Sequence, residues 1–251
     1  MSKNVWITGA SSGIGKALAI KFANEGWQVA ASARRENLLK DLNNKNPNIH
    51  PFPLDVKNEG EAKNVFQNII EKFKTIDISV FCTGMHDPDA EKKLSSEKIR
   101  EIMETNFFGT LNCIMAVNTF FREKKSGHIS IVSSVAGYRG LPAASGYCAS
   151  KSALTSLAES LYFDFKRHNV RVSLVSPGFI KTPMTDKNKF PMPMIKSPEF
   201  AAEKMFIGLT KKNAFEINFP IIFTMIMKLL KIMPNWLYFF LVKKGMKNIK
   251  F

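Results

Sequence analysis

The sequence is poor in cysteine, with Cys82, Cys113 and Cys148 as the only three among 251 residues. Their number is odd, and no two of them form a CxxC pair or another spacing typical of metal ligands. A disulfide framework and a metal site are therefore not expected. Reduced thiols in a cytoplasmic protein fit this usage better.

Acidic residues are scarce: 21 Asp and Glu stand against 36 Lys and Arg, so the formal net charge is +15. From Lys204 to Phe251 there are nine lysines and one acid, Glu216. Such an excess can attract nucleic acid or an anionic membrane. Nucleic acid is not predicted as a partner, because these lysines accompany apolar residues and no recognisable reader motif.

The chain also lacks a long hydrophobic run. Its charge-free apolar stretches 217–227 and 232–242 have 11 residues each, whereas a membrane-spanning helix needs about 20. A spanning helix is therefore not expected. A signal peptide is not expected either, because apolar, glycine-punctuated structure begins at Val5 without a basic leader.

Residues 220–251 form an apolar, lysine-rich C-terminal extension with more than one interpretation. Aromatic residues with basic flanks are typical of helices that lie in an anionic membrane interface, where they would give access to a lipid-like substrate. The same residues are compatible with a lid over a pocket or with a subunit interface. The sequence leaves these alternatives open.

Residues 1–219 predict a catalytic domain of the α/β class. Apolar runs without clean polar alternation indicate strands buried on both faces, and crossover helices between them predict a doubly wound, Rossmann-like parallel sheet. The predicted strands are Val5–Thr8, Trp27–Ala33, Ile49–Leu54, Ile76–Cys82, His128–Ser133, Val170–Ser176 and Ala214–Phe219. The predicted helices are one around Ile14, Leu18 and Phe22 that ends at Gly26, and then Glu36–Asn44, Asn58–Phe73, Ser96–Arg122, Cys148–Arg167 and Pro198–Leu209.

A glycine-rich turn, Thr-Gly-Ala-Ser-Ser-Gly-Ile-Gly at residues 8–15, joins the first predicted strand to the first helix. Its glycines allow a tight turn, a close approach of a pyrophosphate and close packing of the helix on the sheet. Free N–H groups at the start of the helix bind the anion. The turn therefore predicts a nucleotide site. The predicted contacts are Gly9, Ser11, Ser12, Gly13, Ile14 and Gly15.

The end of the second predicted strand bears on which dinucleotide binds. An NAD site usually carries an acid about 20 residues past the glycines, whereas a 2′-phosphate needs positive charge and no carboxylate. Ala33 occupies the acid position, Arg34 and Arg35 follow it, and Ser11 can add a hydroxyl. The pattern favours NADP(H), with NAD(H) as the alternative. The arginines are also compatible with the plain start of a solvated helix.

Tyr147 and Lys151 stand four residues apart, which places them on one face of a helix. A phenol with a pKa near 10 is a poor base at neutral pH, but a nearby ammonium lowers its pKa. Tyr147 is therefore predicted to exchange a proton with a substrate oxygen.

Together, the turn and the Tyr-x-x-x-Lys pair resemble the short-chain dehydrogenase/reductase family over about residues 3–210. The resemblance implies a catalytic serine at Ser134, 13 residues before Tyr147, which would hold the reacting oxygen near the nicotinamide. Asn106 matches the family's helix asparagine, which helps to hold a proton-relay water near the lysine. Tyr147 and Lys151 themselves would also contact the cofactor, with Lys151 on the nicotinamide ribose.

The resemblance implies further cofactor contacts after the third and fourth strands. Asp55, followed by Val56, matches the acid that approaches the adenine. Gly84 matches the last residue of the family's Asn-Asn-Ala-Gly stretch. Cys82 departs from that stretch, which puts a structural hydrogen bond near the centre of the sheet in question.

Pro177 and Gly178 match the family's Pro-Gly motif after the sixth strand. Thr182 stands where the family has a threonine on the nicotinamide side of the cofactor. In a parallel sheet, loops at this edge border the ligand crevice.

We therefore expect an NADP(H)-dependent oxidoreductase that interconverts a carbonyl and a primary or secondary alcohol on a hydrophobic small molecule, with Tyr147 as general acid and base. The alternative is a membrane-associated NAD(P)-sensing or interaction protein without turnover. His86, Tyr138, Leu141 and the loop 183–196 are candidates for substrate contact. The family commonly forms dimers or tetramers, so a homodimer or homotetramer is expected. The expected location is the cytoplasm, with a peripheral site on the inner face of a membrane as an option.

Overall fold

The computed structural model describes residues 3–188 and 190–245. Seven strands form one parallel sheet in the order β3-β2-β1-β4-β5-β6-β7. The strands are β1 (Asn4–Thr8), β2 (Gln28–Ser32), β3 (Ile49–Pro51), β4 (Ile78–Phe81), β5 (His128–Val132), β6 (Arg171–Pro177) and β7 (Glu216–Phe219). The predicted α/β class and Rossmann-like sheet are thus confirmed, and the strand ends lie within a few residues of the predicted ones.

Ten α-helices occur in the described parts of the chain. They are α1 (Gly13–Asn24), α2 (Glu36–Lys45), α3 (Glu59–Phe73), α4 (Pro88–Lys92), α5 (Ser96–Met103), α6 (Gly109–Lys124), α7 (Ser145–Lys166), α8 (Pro198–Thr210), α9 (Ile221–Ile232) and α10 (Asn235–Gly245). Within the described ranges, none of them has both the length and the hydrophobicity that crossing a bilayer requires.

Two hydrophobic cores sandwich the sheet. On one face, α1, α2 and α8 bury side chains such as Phe22, Leu39 and Met205. On the other face, α3, α6 and α7 bury side chains such as Phe66 and Phe121. Burial on both faces explains why the strands read as continuous apolar runs.

The single helix predicted over Ser96–Arg122 is wrong in one respect, because the structure divides it. A π-helical turn, Glu104–Phe108, separates α5 from α6. A π turn inserts one extra residue into a helix and so changes the direction of the residues that follow, and such turns are frequent at functional sites. Asn106 lies in this turn and is fully buried.

The order of the strands in the sheet also explains where a ligand can bind. The chain runs from β1 outward to β3 and then returns to place β4 on the other side of β1. In doubly wound sheets, the loops separate at such a reversal and leave a crevice at the carboxyl ends of the strands.

Candidate active site

One cleft of about 270 Å³ lies along the carboxyl edge of the sheet. Its walls come from the segments that follow β1, β2, β3, β4, β5 and β6, together with one face of α7. Every cofactor or catalytic residue predicted from the sequence lines this cleft except Asn106, which lies behind the wall. The fold thus brings together residues that are up to 173 positions apart, from Gly9 to Thr182.

The glycine-rich turn after β1 needs glycine for two different reasons. Gly9 has a φ of +70°, and a Cβ there would lie 2.9 Å from the backbone oxygen of Cys82. A Cβ on Gly15 would lie 2.4 Å from the backbone oxygen of Gly9, so the start of α1 packs directly on the turn. A side chain at Gly9 would force the turn away from the end of β4, and a side chain at Gly15 would force the start of α1 away from the turn.

The start of α1 leaves an anion site open towards the cleft. Ser12 occupies the N-cap position with extended backbone, but its side chain makes no capping hydrogen bond, and the first turn holds no acid. The first N–H groups of a helix lack partners within it and carry a partial positive charge. This arrangement fits the diphosphate of a dinucleotide.

Arg35 forms a polar cluster with the same turn. Its Nη2 donates to the hydroxyls of Ser11 and Ser12 at 2.8 Å each, and its Nε donates to Ser11 at 3.2 Å. Arg34 also lines the cleft, and Ala33 stands at the position that an NAD site gives to an acid. The cluster combines a forked cation with two hydroxyls, which is chemistry suited to a phosphate group.

The segments after β3 and β4 complete this end of the cleft. The Asp55 carboxylate accepts a hydrogen bond from the backbone N–H of Lys57, and Asp55 and Val56 form part of the wall. The backbone N–H of Cys82 donates to the Thr8 hydroxyl at 3.1 Å. The Thr8 side chain at the end of β1 is thus hydrogen-bonded to the residue after β4, near the centre of the sheet. This is the region where the departure at Cys82 from the family's sequence put a structural hydrogen bond in question.

Ser134 follows β5 and caps the short 3-10 helix Val135–Gly137. Its hydroxyl accepts a hydrogen bond from the backbone N–H of Ala136 at 3.2 Å and donates to the backbone oxygen of Pro177 at 3.4 Å. These partners hold the hydroxyl at the wall formed by β5 and β6.

Tyr147 lies in the first turn of α7 and lines the cleft with Ser134. Burial raises the pKa of its phenol to about 12, and a hydrogen bond with Ser134 opposes this effect. The Lys151 ammonium is 5.7 Å from the centre of the Tyr147 ring. The expectation that Lys151 lowers the pKa of Tyr147 below its usual value is therefore wrong for this structure, because burial dominates.

Lys151 lies one turn further along α7 and is buried. Its Nζ donates to the backbone oxygen of Val132 at 2.9 Å. Burial lowers the pKa of this lysine to about 8. At neutral pH the cleft therefore holds a cationic Lys151 beside a protonated Tyr147.

Asn106 acts as a link between two walls. Its Oδ1 accepts from the backbone N–H of Met85 at 2.7 Å, and its Nδ2 donates to the backbone oxygen of Met85 and to the hydroxyl of Ser150 at 3.0 Å each. A Cβ placed on Gly84 would lie 3.5 Å from Lys151 Nζ and 3.7 Å from Asn106 Oδ1. Gly84 thus keeps the space between Asn106 and Lys151 free of a side chain.

Glu91 is a residue of this region that the sequence analysis missed. Its fully buried carboxylate accepts from the backbone N–H of Tyr147 at 3.1 Å and pairs with Nδ1 of His86 at 2.7 Å. The His86 ring lies over the Tyr147 ring, with 4.7 Å between their centres. Only the tertiary structure joins these residues, because α4 is a five-residue helix without a clear pattern.

The other candidates for substrate contact separate into two groups. Pro183, Met184 and Thr185, from the loop after β6, line the cleft beside Thr182. Tyr138 instead donates to the Glu216 carboxylate, and it packs against α9 together with Leu141, outside the cleft wall.

Comparisons with known proteins agree with this geometry. Residues 3–191 match the short chain dehydrogenase family. An uncharacterized oxidoreductase of Myxococcus xanthus is 34% identical over 236 residues, which covers 92% of this chain and 93% of the relative. A 3-oxoacyl-[acyl-carrier-protein] reductase of Thermotoga maritima is 31% identical over 223 residues, which covers 83% and 91%. The solved structure of ElxO with NADP bound is 25% identical, has a TM-score of 0.77 and covers 87% of this chain and 98% of its own.

The match to the family covers well over half of the chain, and the full-length relatives agree with it. A sheet with the expected strand order carries the glycine-rich turn and the serine, tyrosine and lysine in one cleft. The chain therefore belongs to the short-chain dehydrogenase/reductase family and is an oxidoreductase that acts on CH–OH groups with NAD(P)(H).

Proposed function

We propose that this protein uses NADPH to reduce a ketone or aldehyde on a hydrophobic small molecule, and that the reverse oxidation follows the same path. The observation that carries the proposal is the shared cleft of the glycine-rich turn, Ser134, Tyr147 and Lys151. A cleft that holds a dinucleotide and a proton donor together orients both for one substrate carbonyl.

Bound NADPH would supply the hydride. Ser134 would hydrogen-bond the carbonyl oxygen, and Tyr147 would donate the proton to it. The raised pKa of Tyr147 suits this role, because the phenol keeps its proton at neutral pH. Lys151, as a nearby cation, would stabilise the phenolate left after the transfer. Asn106 would hold the Met85 backbone and the Ser150 side chain in place beside Tyr147 and Lys151 through its hydrogen bonds to both.

The preference for NADP(H) over NAD(H) is part of the proposal. It is supported by the cluster of Arg35 with Ser11 and Ser12, by Arg34 in the same wall and by the missing acid at Ala33. The similar structure of ElxO was solved with NADP bound. These donors would bind the 2′-phosphate, with the adenine near Asp55 and Val56.

The remaining cofactor contacts lie on the other side of the cleft. Pro177 ends β6, and Gly178 and Thr182 follow it. All three line the cleft, and a Cβ on Gly13 of the glycine-rich turn would lie 3.0 Å from the Thr182 methyl group. We assign them, with Gly84 and Lys151, to the nicotinamide half of the cofactor.

The proposed substrate is a hydrophobic carbonyl compound. The cleft lining that Ser134 shares includes the apolar residues Met85, Ile180, Pro183 and Met184. The Thermotoga maritima relative is named for reduction of a 3-oxoacyl group, which is a ketone on an acyl chain. Thioesters of 3-oxoacyl chains therefore come first in a substrate panel, followed by other apolar ketones and aldehydes.

Short-chain dehydrogenase/reductases often form oligomers, and we propose a homodimer or homotetramer here. The supporting observation is that three large apolar side chains of this region are exposed: Phe108 in the π-helical turn before α6, Met115 in α6 and Phe163 in α7. Sedimentation of the purified protein measures this directly.

The test is NADPH oxidation with the substrate panel, using wild type, Tyr147→Phe and the control Tyr162→Phe, which alters another tyrosine of the same helix. We expect Tyr147→Phe to lose about a hundredfold or more in turnover and to bind NADPH as wild type does. The Arg34→Ala/Arg35→Ala double variant should lose affinity for NADPH but not for NADH. Full activity of Tyr147→Phe contradicts the proposal, and NADPH binding without turnover of any substrate favours a sensor.

A further inference from the structure

Helices α9 and α10 carry most of the exposed large apolar side chains in the part of the chain that the structure describes. Sixteen such side chains are exposed within the described ranges, and ten of them lie between residues 221 and 241. We call these ten the C-terminal apolar surface: Ile221, Ile222, Met225, Ile226, Leu229, Ile232, Trp236, Phe239, Phe240 and Leu241. Several exceed 60% exposure, whereas soluble monomers rarely expose large contiguous apolar patches.

Helix α9 is apolar on two faces, but only one face is buried. Phe223, Thr224 and Met227 point inward, and Phe223 and Met227 pack with Tyr138 and Val135. The outward residues of α9 recur at intervals of one, three and four, which places them on the opposite side of the helix. The outer face is therefore not a continuation of the core.

Arg139 and Tyr238 anchor the helices that carry this surface to the rest of the protein. The Arg139 guanidinium donates to the backbone oxygens of Leu230 at 2.6 Å and Met233 at 2.7 Å and to the Asn235 side chain at 2.6 Å, and it lies 4.0 Å from the centre of the Tyr238 ring. The Tyr238 hydroxyl donates to the backbone oxygen of Gly140. Several charge-assisted hydrogen bonds to the turn between two helices fix both of them. The exposure of the apolar side chains is thus a property of the folded domain.

The charged side chains within the segment that carries this surface have one sign. Between residues 220 and 245 there are four lysines, Lys228, Lys231, Lys243 and Lys244, and no acid. Lys228 pairs with the Glu216 carboxylate of β7. Lys243 follows Trp236, Phe239 and Phe240 on one face of α10, because the four residues are spaced by three, one and three.

We propose that the C-terminal apolar surface docks the protein on an anionic lipid bilayer, with α9 and α10 lying in the interface. Aromatic and aliphatic side chains flanked by lysines match the headgroup region of such a membrane, which is apolar on one side and negatively charged on the other. A second copy of this chain fits less well, because a two-fold contact would bring together two copies of a segment that holds four lysines and no acid.

This docking would bring the substrate side of the cleft close to the bilayer. Phe223 of α9 stacks on Phe179 with 5.4 Å between ring centres, and a Cβ on Gly178 would lie 2.7 Å from the Phe223 ring. Gly178 lines the cleft. The buried face of α9 therefore contacts the cleft wall while its outer face contacts lipid.

The test is flotation of the full-length protein with two kinds of vesicles, phosphatidylcholine alone and phosphatidylcholine mixed with phosphatidylglycerol. We expect binding to the mixed vesicles that weakens with salt. The Lys243→Gln/Lys244→Gln variant should bind about tenfold more weakly or worse. Its matched control is Lys45→Gln/Lys72→Gln, which removes two exposed lysines at the far edge of the sheet.

A second variant, Trp236→Ser/Phe239→Ser/Phe240→Ser, alters only exposed side chains and should fold and lose flotation. Flotation equal to wild type in this variant, or no flotation of wild type on anionic vesicles, overturns the proposal. A dimer that the same triple substitution dissociates, without lipid binding, assigns the surface to a second copy. The Tyr147→Phe variant should float like wild type, so that this test is independent of the proposed reaction.

Discussion

Tyr147 and Lys151, which both line the cleft, have pKa values far from those of an ordinary tyrosine and lysine. Burial raises the pKa of the Tyr147 phenol to about 12 and lowers the pKa of the Lys151 ammonium to about 8. In the proposed reduction, both groups are needed in the protonated form. Tyr147 keeps its proton at pH values well above 8, so the loss of the proton from Lys151 sets the upper pH limit of the reaction.

We therefore expect the kcat/KM of carbonyl reduction to be level below about pH 8 and to fall as pH rises and Lys151 loses its charge. Initial rates between neutral and alkaline pH, at saturating NADPH, measure this. In Lys151→Arg the guanidinium stays charged, and any remaining activity should no longer decline near pH 8. A wild-type profile that stays level through this range argues against a charged Lys151 in the reaction.

At the scale of helices and strands, α7 depends on another element for its start. Its N-cap is Ala144, which has no capping side chain, and its first turn contains no acid. The buried Glu91 carboxylate of α4 accepts the N–H of Tyr147 and thus satisfies one of the unpaired groups at this end. The partial positive charge at the N-terminus of α7 also stabilises a carboxylate at this position.

Replacing Glu91 with Ala should lower the free energy of unfolding by about 1–3 kcal/mol, because it leaves buried donors without their acceptor. Urea unfolding of the variant measures the loss. Glu123→Ala serves as the control, since it removes an exposed glutamate near the end of α6. Equal stability of both variants would show that α4 does not support the start of α7.

For the whole molecule, a buried histidine links stability to pH. His128 begins β5, near the middle of the sheet, and its Nε2 lies 2.8 Å from the Ser173 hydroxyl. Burial lowers its pKa from 6.5 to about 3. Below pH 6.5 the unfolded chain therefore binds a proton at this site that the folded chain does not bind.

We expect the free energy of unfolding to decrease as pH falls below about 6.5, by at most about 1.4 kcal/mol per pH unit from this one group. Urea unfolding at several pH values between neutrality and pH 4.5 measures the slope. The slope should become smaller in His128→Gln and should persist in His168→Gln, which alters a histidine just after α7. An unchanged slope in His128→Gln assigns the effect to other groups.

The sequence by itself determined the fold class and the main cleft residues, because both depend on short-range patterns. Apolar runs and crossover helices require a parallel sheet, and Gly9 and Gly15 stand where only glycine allows the backbone to approach. Tyr147 and Lys151 share a helix face for the same local reason. These residues are recognisable from their short-range spacing, although the backbone that Gly9 approaches, at Cys82, is distant in the sequence.

Tertiary structure alone decided how these parts interact. Burial, which depends on the whole fold, raised the pKa of Tyr147 where the sequence predicted a lower value. Glu91 and Arg139 act on partners 56 and 91 or more residues away, and no local pattern encodes such contacts. The two apolar faces of α9 look alike in the sequence, and only packing against β7 and Tyr138 decided which one is exposed.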